Sequence, residues 1–344
     1  MKRAWPGAYI DVLVFEGTEG VLEGNPDIST VITVPRRAGV VEKIRQFRRL
    51  WNRYDLAVSP LPTDRARIYC WIAGRHRVGL INPDAQDRSK ALLLNQHRLF
   101  DDLDTHTVSM GLRLTEMLGI EPHFDVVPPQ IPLVRLPALL DRLASLGGSP
   151  YAVLHPFPKF RYKMWTREAW IALARQLHAR GLSVVFSGSA DPAETAYVGE
   201  IARELPDQTL NLAGTLSLAE TAELIRRANL YVGPDTAVTH IAAATGIATI
   251  ALFGPSNPVK WGPWPSAWTN NNSPWRRRGS GRQGNVFLVQ GAGECVPCML
   301  EGCERHVDSR SDCLQNMAVN TVMNAATTML SAAYPKQMHH TMQP

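Results

Sequence analysis

No apolar stretch in this 344-residue chain reaches the roughly 18 residues that a bilayer-spanning helix needs, so no such helix is expected. Five cysteines in a chain of this length are too few for a disulfide scaffold. The opening residues, MKRAWPGAYIDVLVF, contain neither a signal-peptide core nor a small-residue cleavage site, and the expected compartment is the cytoplasm. Charged residues make up only 19% of the chain against 45% hydrophobic, with 25 Gly and 25 Pro. That balance excludes a mostly disordered or collagen-like polymer and predicts a folded, soluble protein.

The length predicts two domains with separate cores. Lys and Arg number 36 against 31 Asp and Glu, a net +5 that favours an anionic partner. Part of the excess is clustered, in KIRQFRRLWNR from Lys43 to Arg53 and in WRRRGSGR from Trp275 to Arg282. Such runs are more often solvated faces than binding sites. Charge and the Trp-Arg stretch are the only support for nucleic acid, and no nucleic-acid partner is expected.

The first half alternates short apolar strands with longer polar segments. Strands are predicted over Ala8–Val14, Thr30–Val34, Asp55–Ser59 and Val78–Ile81, and helices over Val40–Trp51 and Thr105–Leu118. A short helix follows the Pro-rich stretch at 126–137, and Gly147, Gly148, Ser149 and Pro150 read as a linker. The expected domains are 1–148 and 149–333, followed by a frayed tail at 334–344.

In the second half strand, turn and helix signals arrive in order. Tyr151–Leu154 reads as a strand, and Thr166 as the cap of a helix stopped by Gly181. Leu182–Ser187 is the next strand, then Asp191 and Pro192 open a helix, and Ser217 with Glu220 spells a capping box. Leu230–Val232 and Ala248–Phe253 flank a helix at Ala237–Thr245, and a last helix spans Val319–Ala333. The segment Gly254–Gly293 reads as a long loop with at most short structure. The pattern predicts an α/β, doubly wound domain.

Three constellations carry chemistry. GPDTAVTHIAAATG, residues 233–246, sits between two buried strands and places a helix N-terminus, with its unpaired N–H groups and positive dipole end, where an anion such as a diphosphate could rest. Thr236 and His240 lie about one turn apart and can face one cleft; a merely capped helix with a satisfied His is an equal reading. HPFPKFRYKMW, residues 155–165, puts Lys159, Arg161 and Lys163 just past a parallel strand, in reach of a diphosphate. Glu194, in the loop after the next strand, could accept hydrogen bonds from ribose hydroxyls or simply favour its helix dipole.

The ordered segments HP, KMW, GSADPAE, NLAGTLSL, GPDTAVTHIAAATG and ALFGPSNPVKWGP resemble glycosyltransferase family 9, the ADP-heptose:lipopolysaccharide heptosyltransferases. AYIDVLVFEGTEGVLEGNPDISTVITVPR resembles that family's N-terminal domain, so nearly the whole chain is covered. The resemblance implies a GT-B architecture, two Rossmann-like domains facing a cleft, and inverting transfer that requires no catalytic metal or other cofactor. It implies donor contacts from Lys163 to the diphosphate, Glu194 to the ribose, Asp235 to the sugar, Thr236 to phosphate oxygens, and His240 along the same pocket. The implied partners are a nucleotide-sugar, ADP-heptose, and a lipopolysaccharide core or related bacterial glycan, with peripheral contact at the inner membrane leaflet. Two departures matter. The family's first strand and its Gly-Asp loop, whose aspartate is the expected general base, have no counterpart here, so the N-terminal domain is expected to be incomplete and the catalytic base is unassigned. Phe157 and Ala237 stand where the family favours glycine. The alternative function is a non-catalytic nucleotide-sugar-binding protein or inactive truncated homologue.

Cys295, Cys298, Cys303 and Cys313 fall within 19 residues, opening with a Cys-x2-Cys pair. That spacing admits a structural zinc or iron-sulfur site, with free or paired structural thiols the commoner reading.

Overall fold

The computed structural model describes residues 1–206 and 208–333. The tail expected at 334–344 lies outside the described residues. Contacts divide the chain into two compact units. The first comprises Met1–Glu19, Asp27–Phe124 and Thr269–Ser273; the second comprises Gly20–Pro26, Asp125–Trp268 and the chain from Pro274 onward.

In the first unit the elements are β1 (Asp11–Phe15), β2 (Thr30–Val34), α1 (Val40–Leu50), β3 (Tyr54–Ser59), α2 (Asp64–Ala73), β4 (Gly74–Ile81), α3 (Ala85–Lys90), β5 (Gln96–Leu99) and α4 (Thr107–Glu116). They form two separate parallel sheets, β1-β2 and β3-β4-β5. Val78, Leu80, Met110 and Leu114 make the buried core between β4 and α4. Arg67 on α2 is buried and holds Asp87 through two hydrogen bonds of 3.3 and 2.9 Å, which pairs the two charges away from water while Arg67 Nε is left without a partner.

The second unit begins with α5 (Leu136–Leu143), ahead of the glycine pair expected to be a linker. Leu139 and Leu146 are buried in one cluster with Tyr151 and Val153, so the chain is already committed to this core before Gly147. Gly147 and Gly148 adopt φ of 59° and 77° and make a tight turn into the sheet. The boundary expected near residue 148 therefore falls at Phe124/Asp125.

The remaining elements are β6 (Tyr151–Leu154), α6 (Arg167–His178), β7 (Ser183–Phe186), α7 (Pro192–Arg203), β8 (Thr209–Asn211), α8 (Leu218–Arg226), β9 (Leu230–Pro234), α9 (Ala237–Thr245), β10 (Thr249–Phe253), α10 (Pro258–Trp261), β11 (Gly281–Gln283), β12 (Val286–Gln290), α11 (Asp312–Gln315) and α12 (Val319–Ala333). One sheet runs β11-β12-β10-β9-β6-β7-β8, parallel except for the β11-β12 pair. Residues alternate between its faces. Ala152, Leu154, Val184 and Phe186 join Trp170 and Leu173 of α6 on one side, while Tyr151, Val153 and Val185 join Leu224 and Ile225 of α8 on the other.

Strand order reverses direction between β6 and β9, which makes their carboxyl ends the switch point of a doubly wound sheet, where such folds open a crevice. The segment Gly254–Gly293 is more ordered than a long loop. It contains α10, β11 and β12, and β12 pairs with β10 over five residues, from Thr249–Val286 to Phe253–Gln290. Its run VFLVQ has no room for the polar-apolar alternation that marks a half-exposed strand, because both faces of this sheet are covered.

A candidate functional site at the sheet switch point

A cavity of about 560 Å³ opens at that switch point. Its walls come from the loops after β6 (His155, Phe157, Lys159) and β7 (Gly188 to Glu194), from Leu216, Leu218 and Thr221 at the start of α8, and from Thr236, Ala237 and Val238 at the start of α9.

Local sequence chemistry sets each wall. Asp191 caps α7 by accepting from the N–H groups of Ala193 and Glu194 at 2.9 and 3.2 Å. This fixes Glu194 in the first turn, where it is 7% exposed. Ser189 Oγ donates to Glu194 Oε2. Glu194 Oε1 is buried with no hydrogen-bond partner, and burial moves this carboxyl above its ordinary range. Gly188 permits this approach, since a Cβ there would stand 2.9 Å from Glu194 Oε1 and 3.0 Å from Ala213 Cβ. His155 is fully desolvated beside it, with Nδ1 3.1 Å from Ser187 Oγ and Nε2 4.0 Å from Glu194 Oε1. Burial outweighs a hydrogen bond to the Ser187 backbone and drops its pKa to about 4, so the ring is neutral at physiological pH.

On the opposite wall Thr236 is the N-cap of α9, accepting from Thr239 N–H at 3.4 Å. The first-turn amides of Ala237 and Val238 have no carbonyl to reach within the helix, so this end of the cavity carries the positive pole of α9. Gly233 lets the turn close, because a Cβ there would meet Tyr231 Oη at 2.2 Å.

Next to Thr236, Asp235 is the hub of a polar cluster. Lys163 Nζ and Ser256 Oγ both donate to Asp235 Oδ2 at 2.6 Å, and His240 Nε2 lies 3.9 Å from Oδ1. Burial pushes the Asp235 carboxyl upward, but the neighbouring His240 and the Lys163 charge outweigh it and hold the pKa at about 2. Asp235 is therefore an anion and an acceptor at any physiological pH.

Of the residues singled out in the sequence, Glu194 and Thr236 line the cavity itself, and Lys163, Asp235 and His240 gather in the adjoining cluster. Phe157 and Ala237 both face the cavity. Sequence reading passed over His155 as a site residue, although the His-Pro pair directly after a strand was visible. It also missed Ser189, Ser256 and the apolar wall of Leu216, Leu218 and Val238, and Lys159 rather than Lys163 is the lysine that lines the cavity.

The four clustered cysteines are all free thiols. Cys313 is raised to about 11 by burial and by the thiols of Cys298, Cys303 and Cys295, and Cys303 Sγ accepts from Asp312 N–H at 3.4 Å. Among the described residues no group of three or more His, Cys, Asp or Glu is arranged to hold a metal ion. Also among the described residues, no helix is long and apolar enough to cross a membrane.

The sequence profile of glycosyltransferase family 9 (heptosyltransferase) matches residues 44–280. Lipopolysaccharide heptosyltransferase 3 of Escherichia coli is 30% identical over 274 residues, spanning 77% of this chain and 80% of its own length. Lipopolysaccharide heptosyltransferase 1 of Pseudomonas aeruginosa is 37% identical over 277 residues, spanning 74% and 73%. The solved structure of E. coli ADP-heptose lipopolysaccharide heptosyltransferase II shares the fold, with a TM-score of 0.72 at 19% identity over 96% of this chain and 92% of that one. This chain belongs to glycosyltransferase family 9 and is a glycosyltransferase.

Proposed function

We propose that the protein transfers a heptose from ADP-heptose to a lipopolysaccharide core or related bacterial glycan, with inversion at the anomeric carbon and without a catalytic metal. The observation that carries this reading is the layout of the switch-point cavity. An apolar wall of Leu216, Leu218 and Val238 suits a nucleobase, the unpartnered Glu194 Oε1 suits ribose hydroxyls, and the α9 N-terminus with Lys159 suits a diphosphate. Asp235 then accepts from sugar hydroxyls while Lys163 supplies charge to the phosphates. The relatives named lipopolysaccharide heptosyltransferases, and the similar fold of an enzyme named for ADP-heptose, favour this donor and acceptor over a binding-only role.

In this mechanism an acceptor hydroxyl attacks the anomeric carbon on the face opposite the diphosphate. The bond from that carbon to the diphosphate oxygen breaks, the hydroxyl proton passes to a base, and ADP leaves. The developing negative charge on the leaving oxygen is the largest electrostatic change, and the α9 dipole with the Lys159 and Lys163 ammonium groups stabilises it.

The first unit supports the reading that one strand is lacking from it. Its two parallel sheets, β1-β2 and β3-β4-β5, do not pair with each other, although Tyr54 Oη on β3 donates to Asp11 Oδ2 on β1 at 2.7 Å. One further parallel strand between β1 and β3 would join them into a single doubly wound sheet. The base, expected on the loop after such a strand, is given no residue here. Lys43, Arg45, Arg48 and Arg49 on α1 are exposed and support peripheral contact with anionic lipid. A structural zinc on Cys295, Cys298, Cys303 and Cys313 rests on their spacing, and elemental analysis of the purified protein decides it.

The test is a transfer assay with ADP-heptose and a heptose-deficient core acceptor, with and without an N-terminal extension supplying the additional strand. ADP release matched by a one-heptose mass gain on the acceptor supports the reading. Transfer from a different nucleotide-sugar and none from ADP-heptose would refute the donor assignment.

A further inference from the structure

Lys163 stands on an isolated three-residue turn, Arg161–Lys163, in the connection between β6 and α6. So short a turn does not fix a cation, and a lysine adds a flexible four-carbon stem. Its neighbours are fixed from elsewhere in the chain. Ser311 Oγ donates to the Tyr162 carbonyl at 2.7 Å, Gln315 Nε2 donates to the Met164 carbonyl at 2.8 Å, and Trp165 Nε1 donates to the Met317 carbonyl at 2.9 Å. The backbone on both sides of Lys163 is thus tied to one segment, Ser311–Met317, which contains α11.

That segment is itself seated on the sheet. Leu314 of α11 is 1% exposed, and glycines just past β10 and β12 let α11 approach. A Cβ at Gly254 would stand 2.7 Å from Leu314 Cγ, and one at Gly291 would overlap the Cys313 carbonyl. The cysteine run completes the support. Cys303 N–H donates to the Arg310 carbonyl at 2.8 Å and Cys303 Sγ accepts from Asp312 N–H at 3.4 Å, so Cys303 holds the chain on either side of Ser311. Met299 N–H, next to Cys298, donates to the Pro255 carbonyl at 2.8 Å, beside Ser256. Lys163 and Ser256 both donate to Asp235 Oδ2, and the cysteine-bearing segment holds the neighbours of both.

We propose that Ser311 and Gln315 are positioning residues for Lys163, clamping the backbone on either side of it so that its ammonium is aimed at Asp235 in the free protein and at the diphosphate in the complex. This rests on the reading of Lys163 as a diphosphate ligand. Both side chains donate to main-chain carbonyls, so they act through the backbone of residues 162–164. A charge displaced by about 1 Å from its productive place loses much of its effect, which is why a site needs support behind the residues that touch the ligand. The cysteine run thereby gains a scaffolding role that holds with or without a metal.

Calorimetric titration with ADP and with adenosine, which lacks the phosphates, tests the clamp in a double-mutant cycle against Lys163→Met. With Lys163 present, the paired substitution Ser311→Ala and Gln315→Ala should weaken ADP about tenfold, the effect of two lost hydrogen bonds, and leave adenosine within about twofold. In the Lys163→Met background the same pair should cost ADP less than about twofold more, because the group being positioned is gone. Equal losses in the two backgrounds, or one common factor for ADP and adenosine, would mean that the segment only supports the fold, and the inference fails with the nucleotide site intact. Unchanged ADP affinity in the paired variant overturns it as well. Thermal denaturation identifies a misfolded variant, and Gln315→Glu, which removes the donor at nearly constant shape, then carries the same comparison. Wild-type ADP affinity in Lys163→Met alone would instead remove the diphosphate reading, and the inference falls with it.

Discussion

At the residue scale, the site is a set of charges whose environments have been pushed apart. Asp235 is held ionised at about 2 by His240 and Lys163 against the effect of its burial, whereas the Glu194 carboxyl is raised by burial and keeps one oxygen unpaired. Lys163→Ala removes the ammonium group that neutralises both Asp235 and, in the proposed complex, the diphosphate. Donor affinity measured by calorimetry should fall at least tenfold, and an unchanged affinity would place the diphosphate elsewhere. Asp235→Ala should weaken ADP-heptose more than ADP. Equal losses for the two ligands would mean that Asp235 does not touch the sugar. His155 also gives a pH signature. Its native pKa of about 4 lies below the ordinary value of 6.5, so the unfolded chain binds more protons between these limits. This group's contribution to stability is complete above pH 6.5 and is lost as pH falls towards 4. Denaturant unfolding of His155→Gln across that window should show a flatter pH dependence than the wild type, and parallel curves would contradict the buried neutral ring. As candidates, Glu194, Thr236 and His240 were legible from their places at a strand end or helix start, and Lys163 and Asp235 from the family resemblance. His155 and Ser256 were not, since their importance depends on which oxygen a neighbour leaves unpaired.

At the element scale, the sequence spoke most clearly through caps. Thr166, Asp191 and Ser217 all cap the helices they were expected to open, Thr236 caps α9, and Ser217 with Glu220 closes a full capping box. Ser217→Ala should therefore cost about 1 kcal/mol in chemical denaturation, with an effect below a few tenths showing that α8 does not depend on its cap. Strands were less visible where tertiary pairing defines them. Thr209–Asn211 and Gln96–Leu99 are three and four residues long, with little apolar content, and exist because β7 and β4 offer them an edge. β12 followed a stretch of Trp, Arg, Asn and Gly that reads as loop, yet its Val286, Leu288 and Val289 are among the most buried residues of the sheet.

At the scale of the whole molecule, the strand order decides where the candidate site forms. Local pattern announced strands alternating with helices, but only long-range pairing puts β9 beside β6 and so brings residue 236 against residues 155 and 194, which lie 81 and 42 positions before it in the chain. The same consideration explains why the glycine pair at 147–148 misled: a turn inside a core and a linker between cores share their composition, and the buried Leu139 distinguishes them. The central claim is that this switch-point cavity is a nucleotide-sugar site, and titration of the 344-residue chain with ADP and ADP-heptose tests it most directly. The account predicts saturable one-to-one binding of both, tighter for the sugar-bearing ligand, and weakened for both by Glu194→Ala. Binding that is absent, or that survives Glu194→Ala unchanged, would contradict it.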